Sequence, residues 1–356
     1  MAKTRVLVVD DSRTVRGHLV DTILTDPDLE VAGEAETGKQ AIELCLKLRP
    51  DVITLDMMMP VMSGLAATEY IMAHCPTPIL VVSASVNRGE LFKTYEALSA
   101  GAVDVLDKPR ADGDTDAWAR RFLSTVKLVA RIRVITHPRA RLLPLSSTMP
   151  MPLGEVSPPH ASTRLIAIGA STGGPGAVVE ILRSLPETFD VPILLVVHIG
   201  QPFADAFAEW LDGQSSIPVR YAKDAEICPT SGTRIVLMAP PERHLVVRGG
   251  RLHLTRDPER HSCRPSIDVL FESIAREVGS GAAACLLTGM GRDGASGLLD
   301  VRRAGGRTVA QDEETSVVFG MPREAILLGA AERILPIGHI APHLATLAPR
   351  SPRRPA

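Results

Sequence analysis

Two α/β domains, each a doubly wound and mainly parallel sheet, are what this 356-residue sequence predicts, and three observations carry the prediction. The length exceeds what one hydrophobic core usually holds, so two domains are expected. Short runs rich in Val, Ile and Leu alternate with segments of helical periodicity in both halves, as parallel strands covered by helices on both faces require. Between the halves, residues 134–163 carry six prolines and a single acidic residue. Proline removes amide donors and disfavours helix in the residue before it, so this stretch reads as a linker.

The boundaries follow: a first domain over 1–130, a Pro-rich linker over 131–162, a second and larger domain over 163–348, and a frayed tail over 349–356. In the first domain the apolar runs are RVLVVD (5–10), LEVAGEA (29–35), DVITLD (51–56), PILVVSA (78–84) and AVDVLDK (102–108). Helical spacing lies between them, as at Ala41, Leu44, Cys45 and Leu48. In the second domain the runs are RLIAIGAS, VPILLVVH, TRIVLMAP, AAACLLTGM, RTVAQD and ERILP. HLVVRGGRLHLTR (244–256) interrupts this rhythm, and its Gly249-Gly250 pair between alternating segments predicts a tight β-hairpin.

Bulk composition excludes several function classes. With 39 basic and 41 acidic residues the net charge is −2, which gives no electrostatic case for nucleic acid as a partner. No apolar run approaches the roughly 20 residues a membrane helix needs, so no membrane insertion is expected. The start, MAKTRVLVVDD, has acidic residues where a signal peptide would be apolar. Five scattered cysteines without a CxxC pair fit reduced thiols, and a cytoplasmic location is expected.

One constellation gathers at the carboxyl edge of the first sheet. Asp10 and Asp11 end the first run, Asp56 the third and Ser83 the fourth, while Lys108 follows the fifth. Parallel strands deliver their C-terminal ends to one crevice. Three carboxylates meeting there call for a hard divalent cation, and Mg²⁺ suits oxygen ligands and phosphate together. Phosphoryl transfer to Asp56 follows as the chemistry, with Lys108 offsetting charge and Ser83 donating a hydrogen bond. One Asp at a strand end is ordinarily a cap; suitable residues at the ends of four of the five strands are not coincidence.

A second constellation lies in the second domain. Gly169-Ala170-Ser171-Thr172-Gly173-Gly174 follows a strand and precedes a helical segment, matching G-x-S-x-G. Small neighbours permit the sharp turn that projects the Ser171 hydroxyl, and a helix N-terminus favours developing negative charge. The pattern by itself also fits a glycine-rich turn. His198 ends the run VPILLVVH and is a base candidate, with His244 as its rival; Asp293, in TGMGRDGAS, would orient the ring. Gly289 to Gly294 also spell G-x-G-x-x-G with Asp312 ending the next strand, a dinucleotide pattern. Asp293 would set a carboxylate against a pyrophosphate, which argues against that reading.

The first set, with Pro60, Gly64 and Pro109, resembles the flavodoxin-like receiver domain of two-component response regulators. The resemblance implies that Asp56 accepts phosphate from a histidine kinase while Asp10, Asp11, Asp56 and the Met58 carbonyl hold Mg²⁺. Val105 departs from it, since receivers usually carry an aromatic there that rotates on phosphorylation. In the second domain GASTGGPGA, the His198 strand end, PSIDVLFES (265–273), LLTGMGRDGASGL (286–298) and AQDEETSVVFGMPREAI (310–326) resemble the Rossmann-like catalytic domain of chemotaxis protein-glutamate methylesterases, the CheB family. That resemblance implies Ser171, His198 and Asp293 as the triad and Thr172 and Met290 at the oxyanion site. The implied substrate is a methyl-esterified glutamate of a chemoreceptor's cytoplasmic domain, with glutamine deamidation in some members. No cofactor is expected for the ester hydrolysis, and Mg²⁺ serves the receiver only.

The resemblance to this family also implies that the unphosphorylated receiver packs against the catalytic cleft and blocks it. V-H-I-G (Val197–Gly200) replaces the family's Q-H-M-P, and APPERH replaces APG-x-x-H, both bordering the substrate groove. The competing expectation is a phospho-gated binding module with an inactive hydrolase domain, against which three intact catalytic residue types argue. A DNA-binding output is not expected, because the second half has neither a basic stripe nor a helix-turn-helix pattern.

Overall fold

The computed structural model describes residues 2–84, 87–109, 114–132, 134, 163–200 and 202–348. Nearly all of the expected linker and the whole expected tail lie outside these residues.

The first domain runs β1 (Thr4–Val9), α1 (Arg13–Leu24), β2 (Leu29–Ala35), α2 (Gly38–Leu48), β3 (Val52–Leu55), α3 (Gly64–His74), β4 (Ile79–Ser83), α4 (Arg88–Ser99), β5 (Asp104–Asp107) and α5 (Thr115–Val129). Its five strands pair in the order β2-β1-β3-β4-β5, all parallel. Leu7, Val9, Ile53 and Leu55 face one apolar layer, and Val6, Val8 and Val52 face the other, so these strands are buried on both faces. That is why they read as continuous apolar runs rather than alternating ones. Ser12, Thr37, Ser63, Asn87 and Asp114 each accept an amide hydrogen bond at a helix N-terminus, which sets where the helices begin.

The second domain runs β6 (Leu165–Ala170), α6 (Gly174–Ser184), β7 (Ile193–Val197), α7 (Phe207–Gln214), β8 (Val219–Tyr221), β9 (Val236–Met238), β10 (His244–Arg248), β11 (Arg251–Thr255), α8 (Ile267–Glu277), β12 (Ala282–Leu286), α9 (Ala295–Arg303), β13 (Arg307–Gln311), α10 (Met321–Leu327), β14 (Arg333–Leu335) and α11 (Ile337–Leu347). Seven strands form a parallel sheet in the order β14-β13-β12-β6-β7-β9-β8. The hairpin forms as expected, β10 against β11, with Gly249 and Gly250 at φ 57° and 69°. The strand β8 was not anticipated; three residues with one buried side chain give little periodic signal.

The strand order reverses direction at β6, leaving a crevice between β6 and β12 at their carboxyl ends. The first sheet has its corresponding switch between β1 and β3. Both crevices hold candidate residues. The two cores also meet: Leu91 and Tyr95 of α4 are buried within the apolar layer of the second domain, beside Phe207 and Trp210. The Tyr95 hydroxyl donates to the Phe203 carbonyl, and Arg88 pairs with Glu209 at 3.3 Å. Among the described residues no helix is long and apolar enough to cross a membrane.

Candidate active site

In the first crevice, the end of β1 places Asp10, the end of β3 places Asp56 and the residue after β5 places Lys108. Lys108 Nζ lies 2.8 Å from Asp10 Oδ2 and 3.0 Å from Asp56 Oδ2. Its amide donates to the Ser83 carbonyl at 3.0 Å, which locks the β5 end beside the β4 end. Burial pushes the Asp56 carboxyl up to about 6, with Asp10 adding to the rise and Lys108 opposing it. Lys108 is held above its usual value: burial would lower it, and its hydrogen bond and charge contacts with Asp10 and Asp56 win.

Carboxylate oxygens of Asp10, Asp11 and Asp56 lie within 4.8 Å of one another. The buried Ser83 Oγ has no hydrogen-bond partner among the described residues, and Asp10 Oδ2 has none besides its ion pair with Lys108. Buried polar atoms without partners are costly, and a divalent ion with a phosphoryl group would satisfy both. Gly64 is required here, because a Cβ would stand 2.1 Å from the Asp56 carbonyl.

In the second crevice, Ser171 follows β6, His198 follows β7 and Asp293 lies between β12 and α9. The Ser171 amide donates to the Thr288 carbonyl at 3.0 Å, and its own carbonyl accepts from Gly174 at 2.7 Å. These bonds make the turn, and Gly173 at φ 76° completes it. Gly289 must also be glycine, since a Cβ there would meet Ser171 Cβ at 2.6 Å.

His198 Nε2 and Asp293 Oδ2 are 3.0 Å apart. Asp293 further accepts from Ser266 Oγ at 2.7 Å, the Ile267 amide at 2.7 Å and the Asp268 amide at 3.1 Å. The carboxylate therefore sits on the N-terminus of α8, where the free amides and the helix dipole favour negative charge. Burial would raise its pKa, yet His198 and these donors hold it below the usual carboxylate range. Burial would likewise lower the His198 imidazole, but the Asp293 hydrogen bond and neighbouring Cys263 outweigh it and push the ring up to about 9.

The other candidate histidine has its ring nitrogens taken up by backbone. His244 is buried at the start of β10, with Nε2 3.2 Å from the Pro258 carbonyl and Nδ1 accepting from the Ser266 amide at 3.1 Å. Both ring nitrogens are spent on backbone. The dinucleotide pattern dissolves in the same way: Gly291 and Gly294 shape the loop at φ 85° and 88°, and its acid faces His198. Asp312 accepts from Thr315 within its own turn.

Ser171, Thr172, His198 and Met290 line one cavity of about 390 Å³. Its opposite wall belongs to the first domain: Leu98 of α4, Asp104, Val105 and Leu106 of β5, and Arg121, Thr125 and Leu128 of α5. Val105 is packed against the apolar layers of both domains. Ile199, Gly200 and Glu242, from the two segments that depart from the family pattern, border the same space. The amides of Thr172 and Met290 have no acceptor among the described residues. Sequence reasoning missed Cys263, whose Sγ stands 3.7 Å from His198 Nδ1. It also missed Tyr95, an aromatic on the outer face of a receiver-like helix that nothing in the pattern distinguishes from ordinary packing.

The CheB methylesterase model matches residues 166–344, and the response regulator receiver domain model matches residues 6–117. The protein-glutamate methylesterase/protein-glutamine glutaminase of Nitrosospira multiformis is 44% identical over 349 residues, covering 96% of each chain. A Myxococcus xanthus protein of the same description, numbered 4, is 40% identical over 346 residues, again with 96% of each chain covered. An all-parallel sheet with a serine turn, a histidine and a buried carboxylate at its switch point, set behind a phosphoacceptor domain, fits these likenesses throughout, and the chain belongs to the CheB methylesterase family of hydrolases.

Proposed function

We propose that Ser171, His198 and Asp293 hydrolyse glutamate methyl esters on the cytoplasmic domain of a chemoreceptor, and that phosphorylation of Asp56 releases the cleft for this substrate. The observation that carries the reading is the His198–Asp293 pair at 3.0 Å in a cavity that Ser171 shares and the receiver covers. With Nε2–H donated to Asp293, His198 Nδ1, which faces Cys263 Sγ at 3.7 Å, offers the lone pair that would accept the Ser171 proton. The hydroxyl oxygen attacks the ester carbonyl, and the Thr172 and Met290 amides stabilise the oxyanion. His198 returns the proton to the leaving methoxide, so methanol departs. Water, deprotonated by the same nitrogen, then releases the glutamate carboxylate. A glutamine side chain would pass through the same acyl intermediate and lose ammonia, which is deamidation.

Control begins at Asp56, which takes the phosphoryl group from a histidine kinase as nucleophile. Asp10, Asp11, Asp56 and the Met58 carbonyl would hold Mg²⁺, whose charge would offset that of the phosphoryl oxygens. Lys108 exchanges its ion pair with Asp56 for one with the phosphoryl group, and Ser83 Oγ gains its missing partner. Ser83 ends β4 and α4 starts at Arg88, so this shift acts on the helix that anchors the two domains together. The cytoplasm, where kinase and receptor tail meet, is the compartment this chemistry requires. The test is methanol release from methylated receptor fragments with and without a small phosphodonor. Absence of release in both conditions refutes the reading.

A further inference from the structure

We propose that His198 Nδ1 and Cys263 Sγ form an inhibitory binding site for a borderline-soft transition-metal ion, Zn²⁺ foremost. The two atoms are 3.7 Å apart. Zinc bonded to sulfur at about 2.3 Å and to nitrogen at about 2.0–2.1 Å, at the tetrahedral angle, needs them about 3.6 Å apart. The pair therefore has the bite of a zinc chelate before any ion arrives.

Both donors are held in place by the fold. Cys263 leaves a two-residue turn in which its amide donates to the Arg260 carbonyl at 2.9 Å and the Arg260 amide donates back at 3.1 Å. The central residues, His261 and Ser262, have φ 53° and 60°, the left-handed pair of a primed hairpin turn. His198 is fixed through its amide, which donates to the Ala170 carbonyl at 3.0 Å, and through its Nε2 contact with Asp293. A metal-binding imidazole commonly donates its second nitrogen to a carboxylate, which orients the ring and raises its basicity. Asp293 already stands in that position. Its oxygens face four donors, so it acts as this outer partner although it lies within 4.8 Å of the cluster.

Nitrogen and sulfur select Zn²⁺ over Mg²⁺, which prefers oxygen. The thiol and, where it is protonated, His198 Nδ1 give up their protons to solvent as the metal–sulfur and metal–nitrogen bonds form. Cys263 also borders a second cavity of about 430 Å³, with Glu324 on its wall, so an ion has a route besides the interdomain cleft. The functional consequence rests on the proposed role of His198: the lone pair that would bind Zn²⁺ is the one that accepts the Ser171 proton, and occupancy excludes turnover.

The test uses the reduced full-length protein and two readouts. Titration with Co²⁺, a spectroscopic stand-in, is expected to give thiolate-to-metal charge-transfer absorption that Zn²⁺ abolishes by competition. Ser171→Ala should keep this band and Cys263→Ser should lose it. In the second readout, micromolar Zn²⁺ is expected to suppress ester hydrolysis reversibly on chelation, with no effect of Mg²⁺. Measured against its own metal-free rate, Cys263→Ser should need at least about tenfold more Zn²⁺ for half-inhibition than the parent does, as loss of a metal contact implies. Equal Zn²⁺ sensitivity of Cys263→Ser and parent, or a cobalt band that survives Cys263→Ser, overturns the proposal. The cobalt readout is independent of turnover, so failure of the esterase reading and failure of the metal site are told apart.

Discussion

The Tyr95 ring of the receiver stands edge-on to the Phe207 ring of the catalytic domain, with centroids 5.3 Å apart and planes at 81°. Trp210 lies at 5.3 Å from the same ring, and the hydroxyl is spent on the Phe203 carbonyl. The position where receivers usually carry a rotating aromatic is Val105, and the aromatic at this interface comes instead from α4. Truncating a buried aromatic to Ala typically costs about 3–5 kcal/mol, and here part of that loss falls on the docked arrangement alone. Tyr95→Ala should therefore raise unphosphorylated turnover by about tenfold or more, the equivalent of about 1.4 kcal/mol, and shrink the further gain from a phosphodonor. Initial rates with and without phosphodonor check this. An unchanged basal rate in a folded variant would show that α4 does not hold the cleft shut.

Asp56→Asn removes the nucleophile and leaves the catalytic crevice untouched. Its basal rate should match the parent, and a small phosphodonor with Mg²⁺ should no longer stimulate it. Chelating the divalent ion should abolish the stimulation of the parent in the same way. Stimulation of Asp56→Asn equal to that of the parent would refute Asp56 as the control point.

Ser171→Ala deletes a side chain that makes no hydrogen bond among the described residues, while the backbone bonds that build the turn remain. Turnover should fall by about three orders of magnitude or more, with the circular dichroism spectrum and melting temperature nearly unchanged. Parent-like ester hydrolysis in this variant would remove Ser171 from the mechanism.

The pH profile should report His198. The ring must be neutral to accept the serine proton, and its pKa is pushed up to about 9 from the usual 6.5. The limiting kcat/KM should thus climb with pH through an apparent pKa above 6.5, towards about 9. Asp293→Asn should lower this pKa and reduce kcat by about 10⁴-fold. Linkage gives the matching stability trend. A folded-state pKa raised above its unfolded value contributes stability that is fully present below about 6.5 and is lost as pH rises through about 9. Denaturant titrations at pH 6 and pH 9.5 should show the parent's advantage over Asp293→Asn shrinking at the higher pH.

Much of the candidate phosphoacceptor site was legible in the sequence because parallel strands leave no freedom: residues ending neighbouring strands reach the same edge whatever the helices do. Asp10, Asp56, Ser83 and Lys108 are all such residues. The catalytic crevice was only half legible. Ser171 and His198 end strands, whereas Asp293 sits in a loop that equally spelled a nucleotide fingerprint. In the sequence His244 rivals His198; in the structure its two nitrogens contact the Pro258 carbonyl and the Ser266 amide.

By itself the sequence determined the two parallel-sheet domains and which candidate residues end the strands of each, since burial on both faces and strand polarity are written in local periodicity. What only the tertiary structure decided is how these parts face one another: Tyr95 inserted beside Phe207 and Trp210, Val105 against both cores, and Cys263 aimed at His198. Each depends on the direction of a side chain that leaves a loop or an outer helix face. No periodicity encodes that direction, because it is set by the packing of segments far apart in the chain.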